Sequence, residues 1–227
     1  MRRDIFVPKF MSKVSYEYIE DYLRSLYKTK SDLLAELRDY ADKNHVPIIE
    51  EECEEFYNFL INTTKPKKIL ELGTAIGYSA ISFSMSDFVE NLVTVEINED
   101  MVKIASENIK KSGLENKIDI VHSDAYEYLL ECKERYDFIF IDAAKGQYEK
   151  YFDEAIKLLN RDGIIVCDNV LFRGMIANQD LVKRRKITIV KRLRKFLKDI
   201  KDDERFYSSI VPIGDGALLI RRKFEED

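Results

Sequence analysis

Hydrophobic residues in the first quarter of the chain recur at the three- and four-residue spacing of amphipathic helices, which predicts helical structure over residues 12 to 64. Ser31 is placed to cap a second helix, and the His45-Val46-Pro47 segment interrupts it, because proline disfavours a helical conformation in the residue before it. A third helix follows Pro47. The apolar positions are Tyr18, Ile19, Tyr22, Leu23 and Leu26 in the first helix, Leu33, Leu34, Leu37 and Tyr40 in the second, and Phe56, Phe59 and Leu60 in the third.

From Lys67 onward, short apolar runs alternate with helical patterns. The runs are KKILEL, NLVTVEI, KIDIVH, YDFIFID and GIIVCDNV, and helical stretches begin near Gly77, Glu99, Asp124 and Tyr148. Strands that alternate with helices predict right-handed crossovers and a mostly parallel sheet that is buried on both faces. The later segments FYSSIVPI, GDG and ALLIRRK predict a hairpin through a glycine turn. We therefore expect one α/β domain over residues 1–227, with N-terminal helices at 1–64 and an α/β core at 65–227.

Composition excludes several classes of protein. The 227 residues contain no run of eighteen apolar positions, which argues against a membrane span, and MRRDIFVPKF lacks the apolar stretch of a signal peptide, so we expect a cytoplasmic protein. The three cysteines lie far apart without a CxxC pair, which fits a reducing compartment and excludes a disulfide scaffold or a zinc ribbon. With only two histidines, a histidine-based triad or zinc site is disfavoured.

A glycine-containing loop follows the first predicted strand in the segment ELGTAIGYS. Gly73 permits a tight turn, and Gly77 would let a ligand approach the start of the next helix. Glu96 ends the second strand, where a carboxylate can accept hydrogen bonds from both ribose hydroxyls. The loop lacks the middle glycine of the dinucleotide fingerprint, and Glu71 would repel a pyrophosphate but attract an ammonium. The pattern favours S-adenosylmethionine over NAD.

The alternative for this loop is structural: glycines that only make a turn, and an acid that only lies on the surface. Asp124, at the end of the third strand, leaves the same choice. It can cap the following helix, accept a hydrogen bond from an adenine amino group, or do both, since an aspartate has two oxygens.

A second acidic cluster is expected where the fourth and fifth strands end. Asp142 follows YDFIFI, Lys145 lies three residues later, and Asp168-Asn169 follows GIIVC. The ends of adjacent parallel strands meet, so two carboxylates and an amide oxygen would converge as a hard, all-oxygen ligand set suited to Mg²⁺. Lys145 beside a dication would be a usable base or an orienting donor. The alternative is a set of loop caps and an Asx turn.

The motifs ILELGTAIGYSA, VEIN, SDA, FIFIDAAKGQY and IIVCDNVLFRG resemble those of the metal-dependent class I O-methyltransferases of the catechol and caffeoyl-CoA type. More narrowly, HVPII, DNVLFRG and VPIGDG resemble the bacterial tRNA 5-hydroxyuridine methyltransferases, which make 5-methoxyuridine at the wobble position. The resemblance implies a Rossmann-like α/β fold whose seven-stranded sheet is mostly parallel with an antiparallel last strand, and it implies a homodimer. Tyr16, Tyr18, Tyr22 and Tyr27 are candidates for the interface.

The resemblance also implies roles for individual residues. Lys145 and Asp142 match the catalytic residues, and the metal, Mg²⁺ or Mn²⁺, would be held by Asp142, Asp168 and Asn169. The positions that match S-adenosylmethionine contacts are Ile49, Glu71, Gly73, Ser79, Glu96, Asp124, Ala125 and Asp142. Small-molecule members usually carry a charged or aromatic residue after the first metal aspartate, whereas this chain has Ala143-Ala144, which leaves room beside the metal.

Charge is distributed unevenly. The net charge is −5, yet the basic segment, residues 183–198 (KRRKITIVKRLRKFLK), holds nine Lys or Arg and no acid. Such a face suits a phosphate backbone, so Arg184, Arg185, Arg192 and Arg194 are candidate contacts to the anticodon region of tRNA. A solvated helix face and a membrane surface are the alternatives. Tyr148, Tyr151 and Phe172 would either stack on a splayed base or belong to the core.

Four functions are compatible with these patterns. The first is methylation of 5-hydroxyuridine in tRNA, and the second is the same chemistry on a small catechol-like or phenolic acceptor. In 5-hydroxyuracil the 5-hydroxyl neighbours the 4-carbonyl, so the pair would chelate a cation as a catechol does. A nicotinamide oxidoreductase is disfavoured by the loop that contains only two glycines. A nucleoside-binding scaffold without activity is the fourth.

Overall fold

Three helices precede the sheet in the computed structural model, which describes residues 16–223. They are α1 (Glu17–Leu26), α2 (Asp32–Asn44) and α3 (Glu51–Thr64). The hydroxyl of Ser31 caps α2 by accepting a hydrogen bond from the Leu34 amide, and His45 ends the helix in the left-handed conformation. The predicted helices and the break before Pro47 are confirmed, while residues 12–15 of the predicted region lie outside the described residues.

The buried face of α3 differs from the predicted one. Cys53, Tyr57 and Ile61 are buried, whereas the side chain of Phe59 is 68% exposed. The buried residues lie four apart and form one helical stripe that packs towards the sheet. The aromatic residues misled the prediction, because Phe56, Tyr57 and Phe59 are close together in sequence but point in different directions.

The apolar positions of α1 form the predicted helical pattern, yet the remainder of the described chain does not cover them. Tyr18 and Tyr22 are 69% and 63% exposed, and Leu26 is 55% exposed. Tyr27, just after the helix, is turned inward and donates a hydrogen bond to Glu54. Of the four tyrosines predicted at a dimer interface, Tyr16, Tyr18 and Tyr22 are exposed, whereas Tyr27 is half-buried.

Seven strands form one sheet in the order β3-β2-β1-β4-β5-β7-β6. The first five strands pair in parallel, and β7 is antiparallel to both of its neighbours, β5 and β6. The predicted α/β fold with an antiparallel last strand is confirmed. The strands are β1 (Lys68–Leu72), β2 (Asn91–Glu96), β3 (Ile118–His122), β4 (Tyr136–Ile141), β5 (Leu159–Cys167), β6 (Phe206–Val211) and β7 (Ala217–Arg222); the connecting helices are α4 (Tyr78–Ser84), α5 (Glu99–Ser112), α6 (Ala125–Glu131), α7 (Tyr148–Leu158) and α8 (Ile187–Asp202).

Register brings the carboxyl ends of the central strands together. Leu72 of β1 pairs with Val95 of β2 and with Ile141 of β4, and Ile141 pairs with Cys167 of β5. The residues that follow these four positions therefore share one edge of the sheet, which is where ligands bind in open parallel α/β sheets. None of the helices within residues 16–223 has the length and apolar character needed to cross a membrane.

Candidate active site

A cavity of about 330 Å³ opens at the ends of β1, β2 and β3. The predicted cofactor residues that line it are Gly73, Glu96, Asp124, Ala125 and Asp142. Three other predicted residues, Ile49, Glu71 and Ser79, are buried and lie outside the lining. Tyr151 also lines this cavity, and its ring is buried, so it is not free to stack on a splayed base.

The turn after β1 depends on Gly73. Its φ is +105°, and a Cβ there would lie 2.2 Å from the backbone oxygen of Asp142. Glycine is therefore required both by the backbone conformation and by the close approach of the β4 end. Gly77 also has a positive φ, but a Cβ there would meet Ala105 of α5 at 3.4 Å. Gly77 is therefore favoured by its left-handed backbone and lies against α5, and its role in ligand approach stays a prediction.

Glu71 is fully buried in β1. The hydroxyl of Thr94 donates a 2.5 Å hydrogen bond to its Oε2, whereas Oε1 is buried without a hydrogen-bond partner among the described residues. Burial raises the pKa of this carboxyl to about 8, and the hydroxyls of Ser79 and Thr94 oppose the rise. A buried carboxylate with an unused oxygen is suited to accept a hydrogen bond from a cationic group.

Glu96 and Asp124 are held by backbone amides. Glu96 Oε2 accepts a hydrogen bond from the Ala75 amide and Oε1 accepts one from the Asn98 amide, both at 2.9 Å. Asp124 Oδ1 caps α6 by accepting from the amides of Tyr126 and Glu127. The capping role of Asp124 is confirmed, and its Oδ2 is left for a ligand in the cavity.

Asp142 and Asp168 interact at the ends of β4 and β5. Burial raises the pKa of Asp168 to about 7, with the charge of Asp142 as the next cause. Burial also raises the pKa of Asp142. Two carboxylates that each oppose ionisation of the other make an oxygen-rich site that a divalent cation would stabilise.

Asn169, the third predicted ligand, faces a second cavity. Its backbone is left-handed, with φ +57°, and its Oδ1 accepts a 2.7 Å hydrogen bond from the ammonium of Lys145. Asp142 lines the first cavity and Asn169 the second, whereas Asp168 is buried and lines neither of them. The three residues therefore lie at one edge of the sheet but do not share a cavity.

Lys145 begins a short 3₁₀ turn after β4. Its Nζ lies 3.8 Å from Asp215 Oδ2 in addition to its bond to Asn169. Burial lowers the pKa of this lysine, and the nearby carboxylates of Asp215, Asp142 and Asp168 act in the opposite direction. A lysine with a lowered pKa at the mouth of a cavity is a candidate general base.

The second cavity, of about 460 Å³, is lined by Lys145, Asn169, Phe172 and three further cationic residues: Arg173, Lys183 and Lys186. The Nζ atoms of Lys145 and Lys186 lie 5.6 and 5.7 Å from the centre of the Phe172 ring. Tyr148, by contrast, is buried in the core, and its phenol donates to the Asp168 carbonyl. Of the three aromatic residues considered for stacking, Phe172 alone remains available.

The basic segment forms a 3₁₀ turn at Arg184–Lys186 and then the first part of α8. Arg184, Arg185 and Arg192 are exposed, and no ion pair joins the first two to another described residue. Arg194 is half-buried and donates to the carbonyls of Met175 and Ile176 and to the Gln179 side chain. Arg194 therefore braces the loop after β5, and it is the least available of the four predicted RNA contacts.

Two residues at this site were not predicted from the sequence. The phenol of Tyr57 donates a 2.8 Å hydrogen bond to Asp168 Oδ1, across 111 positions of sequence. Asp215 lies in the hairpin turn that the sequence identified only by its glycines, and it accepts a hydrogen bond from the Arg173 amide. An acid between two glycines was the available signal for Asp215, whereas no local pattern pointed to Tyr57.

Glu50, Glu51 and Glu52 form a separate acidic cluster at the start of α3, with carboxylate oxygens within 4.8 Å of one another. The guanidinium of Arg24 lies 3.0 to 3.5 Å from all three. The guanidinium of Arg24 therefore neutralises this cluster, and the cluster gives no support for a metal site.

Known proteins are similar to this chain over most of its length. Residues 24–223 match a family model described as O-methyltransferase. A caffeoyl-CoA O-methyltransferase of Populus kitakamiensis is 31% identical over 226 residues, which cover 93% of this chain and 94% of the relative. A Staphylococcus aureus crystal structure, provisionally named a caffeoyl-CoA O-methyltransferase, superposes with a TM-score of 0.84 at 31% identity and covers 91% of this chain and 100% of that one. The SAH-bound methyltransferase PaMTH1 of Podospora anserina has a TM-score of 0.82 at 26% identity and covers 92% and 97% of the two chains.

Proposed function

The chain belongs to the O-methyltransferase family, and from this premise we propose that it transfers a methyl group from S-adenosylmethionine to a hydroxyl oxygen, in the manner of the caffeoyl-CoA type. The single observation that supports the cofactor is the buried oxygen of Glu71, which has no hydrogen-bond partner among the described residues and belongs to the strand that ends one residue before Gly73 of the first cavity. A buried carboxylate of this kind has a strong preference for a cationic partner, and the methionine end of S-adenosylmethionine supplies an ammonium. A pyrophosphate there would be repelled.

The rest of the first cavity suits a nucleoside. Glu96 is fixed by two backbone amides and can still accept from ribose hydroxyls, because each carboxylate oxygen has a second lone pair. Asp124 Oδ2 can accept from an adenine amino group while Oδ1 caps α6. Glu71 lies in β1, Glu96 ends β2 and Asp124 follows β3, and these strands are neighbours in the sheet, so the three acceptors would bind the ammonium, ribose and base in that order.

We further propose that Asp142, Asp168 and Asn169 hold Mg²⁺ or Mn²⁺. The donor set fits, since it contains only oxygen and since the two carboxylates lie close enough for the charge of Asp142 to raise the pKa of Asp168. When bound, the cation would lower the pKa of an acceptor hydroxyl by stabilising its anion.

Lys145 is proposed as the residue that takes the acceptor proton at Nζ. Burial lowers its pKa, which favours the neutral amine relative to an exposed lysine, and Lys145 lines the second cavity together with its contacts Asn169 and Asp215. With S-adenosylmethionine bound, the acceptor oxygen would take the methyl group as the bond from sulfur to methyl breaks, and S-adenosylhomocysteine would leave. The protein's contribution to this displacement is the relative position of the two cavities.

For the acceptor, we propose 5-hydroxyuridine at the wobble position of tRNA. The support is the cationic wall of the second cavity, formed by Arg173, Lys183 and Lys186, which continues into the exposed Arg184 and Arg185. Phosphates of a nucleic acid would pair with such a wall, and Phe172 would offer a face to an unstacked base. The protein would then act in the cytoplasm on the anticodon region.

The second candidate is a small catechol-like or phenolic acceptor, which the names of the curated relatives favour. One assay separates the two: the purified enzyme is given S-adenosylmethionine, Mg²⁺ and either tRNA that carries 5-hydroxyuridine or caffeic-type phenols. Formation of 5-methoxyuridine at a much higher kcat/KM than any phenol product would support the tRNA acceptor. Methylation of phenols alone would overturn it and leave the second candidate.

We also propose a homodimer that covers the exposed tyrosines of α1, Tyr18 and Tyr22. Light scattering of the purified chain measures its mass, for which the dimer predicts twice 26.7 kDa. Replacing both tyrosines by Ser should lower the measured mass to that of a monomer. A wild-type monomer over the micromolar range would contradict this proposal.

A further inference from the structure

A buried polar network connects the N-terminal helices to the start of α4. Its centre is the carboxylate of Glu54 in α3, whose side chain is 1% exposed. Oε1 accepts a 2.5 Å hydrogen bond from the Ser82 hydroxyl, and Oε2 accepts from the phenols of Tyr78 and Tyr27 at 2.6 and 2.5 Å. Arg38 of α2 adds an ion pair at 3.2 Å. Three helices, α2, α3 and α4, and the residue that follows α1 thus meet at a single carboxylate.

The network reaches two backbone segments that contain predicted cofactor contacts. Tyr78 is the first residue of α4 and directly precedes Ser79, and its phenol is bonded to both Glu54 and Arg38. Arg38 extends the connection, because its Nη1 donates a 3.1 Å hydrogen bond to the carbonyl of Ile49. Ile49 and Ser79 are predicted cofactor contacts that do not line the cavity, so Glu54 is linked to both of them through one intermediate residue each.

The bonding capacity of Glu54 is used fully within the protein. Burial raises the pKa of the Tyr78 phenol and the Glu54 carboxylate raises it further, so the phenol stays protonated and donates. The Arg38 guanidinium also stacks on the Tyr78 ring, 4.6 Å from its centre. A charged carboxylate that is removed from solvent and bonded this completely restricts the positions of its partners.

We propose that Glu54 is a positioning residue for the cofactor: through Tyr78 and Arg38, it fixes the Ser79 and Ile49 segments that hold the methionine end of S-adenosylmethionine. This inference rests on the proposed cofactor. A displacement of about 1 Å in such segments is enough to cost a large factor in binding or rate. Loss of one bond in the network should therefore weaken the cofactor more than the acceptor.

Two tyrosines give a matched pair of variants. Tyr78→Phe and Tyr27→Phe each remove one phenol from the same Glu54 oxygen. Tyr78 directly precedes Ser79, whereas Tyr27 reaches that segment only through its phenol, 3.3 Å from the phenol of Tyr78. Calorimetric titration with S-adenosylhomocysteine measures the effect directly, and thermal unfolding measures the structural cost. We expect Tyr78→Phe to raise the Kd about 10-fold, which corresponds to one hydrogen bond to a charged group, and Tyr27→Phe to change it less than about 2-fold.

Glu54→Gln and Glu55→Gln form a second pair on the same helix, since Glu55 is exposed. Glu54→Gln should raise the KM for S-adenosylmethionine about 10-fold or more while the KM for the acceptor changes little, and Glu55→Gln should change neither. Equal losses in both KM values, or equal effects of the two tyrosine variants on the Kd, would show a merely structural role and overturn the inference. If Glu54→Gln fails to fold, the tyrosine pair still decides.

The wild-type titration separates this inference from the proposal on which it depends. If the wild-type protein does not bind S-adenosylhomocysteine, the cofactor assignment itself is wrong. If the wild-type protein binds it and Tyr78→Phe binds it equally well, only the role of Glu54 is overturned.

Discussion

The phenol of Tyr57 in α3 donates a hydrogen bond to Oδ1 of Asp168, which follows β5, and so joins a helix of the N-terminal region to the acidic site of the sheet. Both side chains are buried, and the Asn169 amide donates to the same oxygen. Two donors therefore fix the orientation of the Asp168 carboxylate and favour its ionised form. A fixed, ionised carboxylate is what a metal ligand requires.

Replacing Tyr57 by Phe should weaken the metal site while keeping the ring in the core. Loss of the donor raises the pKa of Asp168 further and frees its orientation, so the Mg²⁺ concentration for half-maximal activity should rise about 10-fold. Titration of activity with Mg²⁺ measures this, with the exposed Tyr207→Phe as the control. An unchanged Mg²⁺ requirement in Tyr57→Phe would argue that Tyr57 has only a packing role.

Removal of divalent cations should abolish methyl transfer but leave cofactor binding intact, because Glu71, Glu96 and Asp124 need no cation to bind the nucleoside. Activity is measured in excess EDTA and again after Mg²⁺ or Mn²⁺ is restored, and S-adenosylhomocysteine affinity is measured in parallel. Asp168→Asn should reproduce the loss of activity. Full activity in EDTA would contradict the proposed metal site.

Glu71 should make the stability of the unliganded protein depend on pH. Its pKa is about 8 in the fold and about 4.5 when exposed, so between these values the folded state holds more protons than the unfolded state. The stability contributed by the neutral acid is present below pH 4.5 and is lost as the pH rises towards 8. The difference between the unfolding temperature of Glu71→Gln and that of the wild type should therefore increase in favour of the variant as the pH rises from about 4.5 to about 8.

The same variant should bind S-adenosylhomocysteine more weakly, since it cannot offer a charged acceptor to the ammonium. An ion-assisted hydrogen bond contributes about 1.5 to 3 kcal/mol, which predicts a loss of roughly 10- to 100-fold in affinity. Calorimetry at pH 8.5 compares the two proteins with Glu71 of the wild type ionised. Equal affinities would remove the principal support for an ammonium partner.

Gly73→Ala should be far more disruptive than Gly113→Ala. Both glycines have positive φ, which alone costs an alanine about 1 kcal/mol or more. Only at Gly73 does the added Cβ collide with backbone, at 2.2 Å from the Asp142 oxygen, whereas nothing lies within 4 Å of it at Gly113. Chemical denaturation of the two variants gives the comparison, and similar losses would contradict the structural requirement at Gly73.

Neutralising two exposed arginines should separate the two acceptor classes. Arg184 and Arg185 changed together to Gln should reduce kcat/KM for tRNA by at least about 10-fold and lower the salt dependence of tRNA binding by roughly one unit of slope for each phosphate that the protein no longer neutralises. Arg192 is left in place because it donates to the carbonyl of Gly146, beside Lys145. Phenol methylation should be unaffected. Arg194 is left in place because it braces the loop after β5, and unchanged tRNA kinetics would reject the basic segment as the RNA contact.

Much of the fold follows from local patterns. The β-branched runs become strands, and the acids predicted at strand ends do lie at one edge of the sheet, because parallel register brings those ends together. Gly73 was also predictable, since only glycine tolerates its backbone angle. These features depend on periodicity and on backbone sterics, both of which are determined by residues that are close together in the sequence.

What escaped prediction depends on contacts between distant segments. Tyr57 could not be assigned to Asp168, because the choice between it and neighbouring phenylalanines depends on which face of α3 meets the sheet. The role of Arg194 as a brace, rather than a free cation, likewise depends on two carbonyls in the loop after β5. Composition can show that a segment is basic, but it cannot show which of its charges are already used.

The loop after β5 is held by residues that come much later in the chain. The amides of Val170 and Leu171 donate to the carbonyls of Gly216 and Asp215, and Phe172 and Arg173 keep left-handed conformations there. During translation, strands β1 to β6 are therefore synthesised before the turn that supports this loop, and β7 is synthesised after it. The chain therefore contains every residue that lines the first cavity once it has reached Tyr151, whereas the loop beside the second cavity finds its backbone partners only at Asp215 and Gly216.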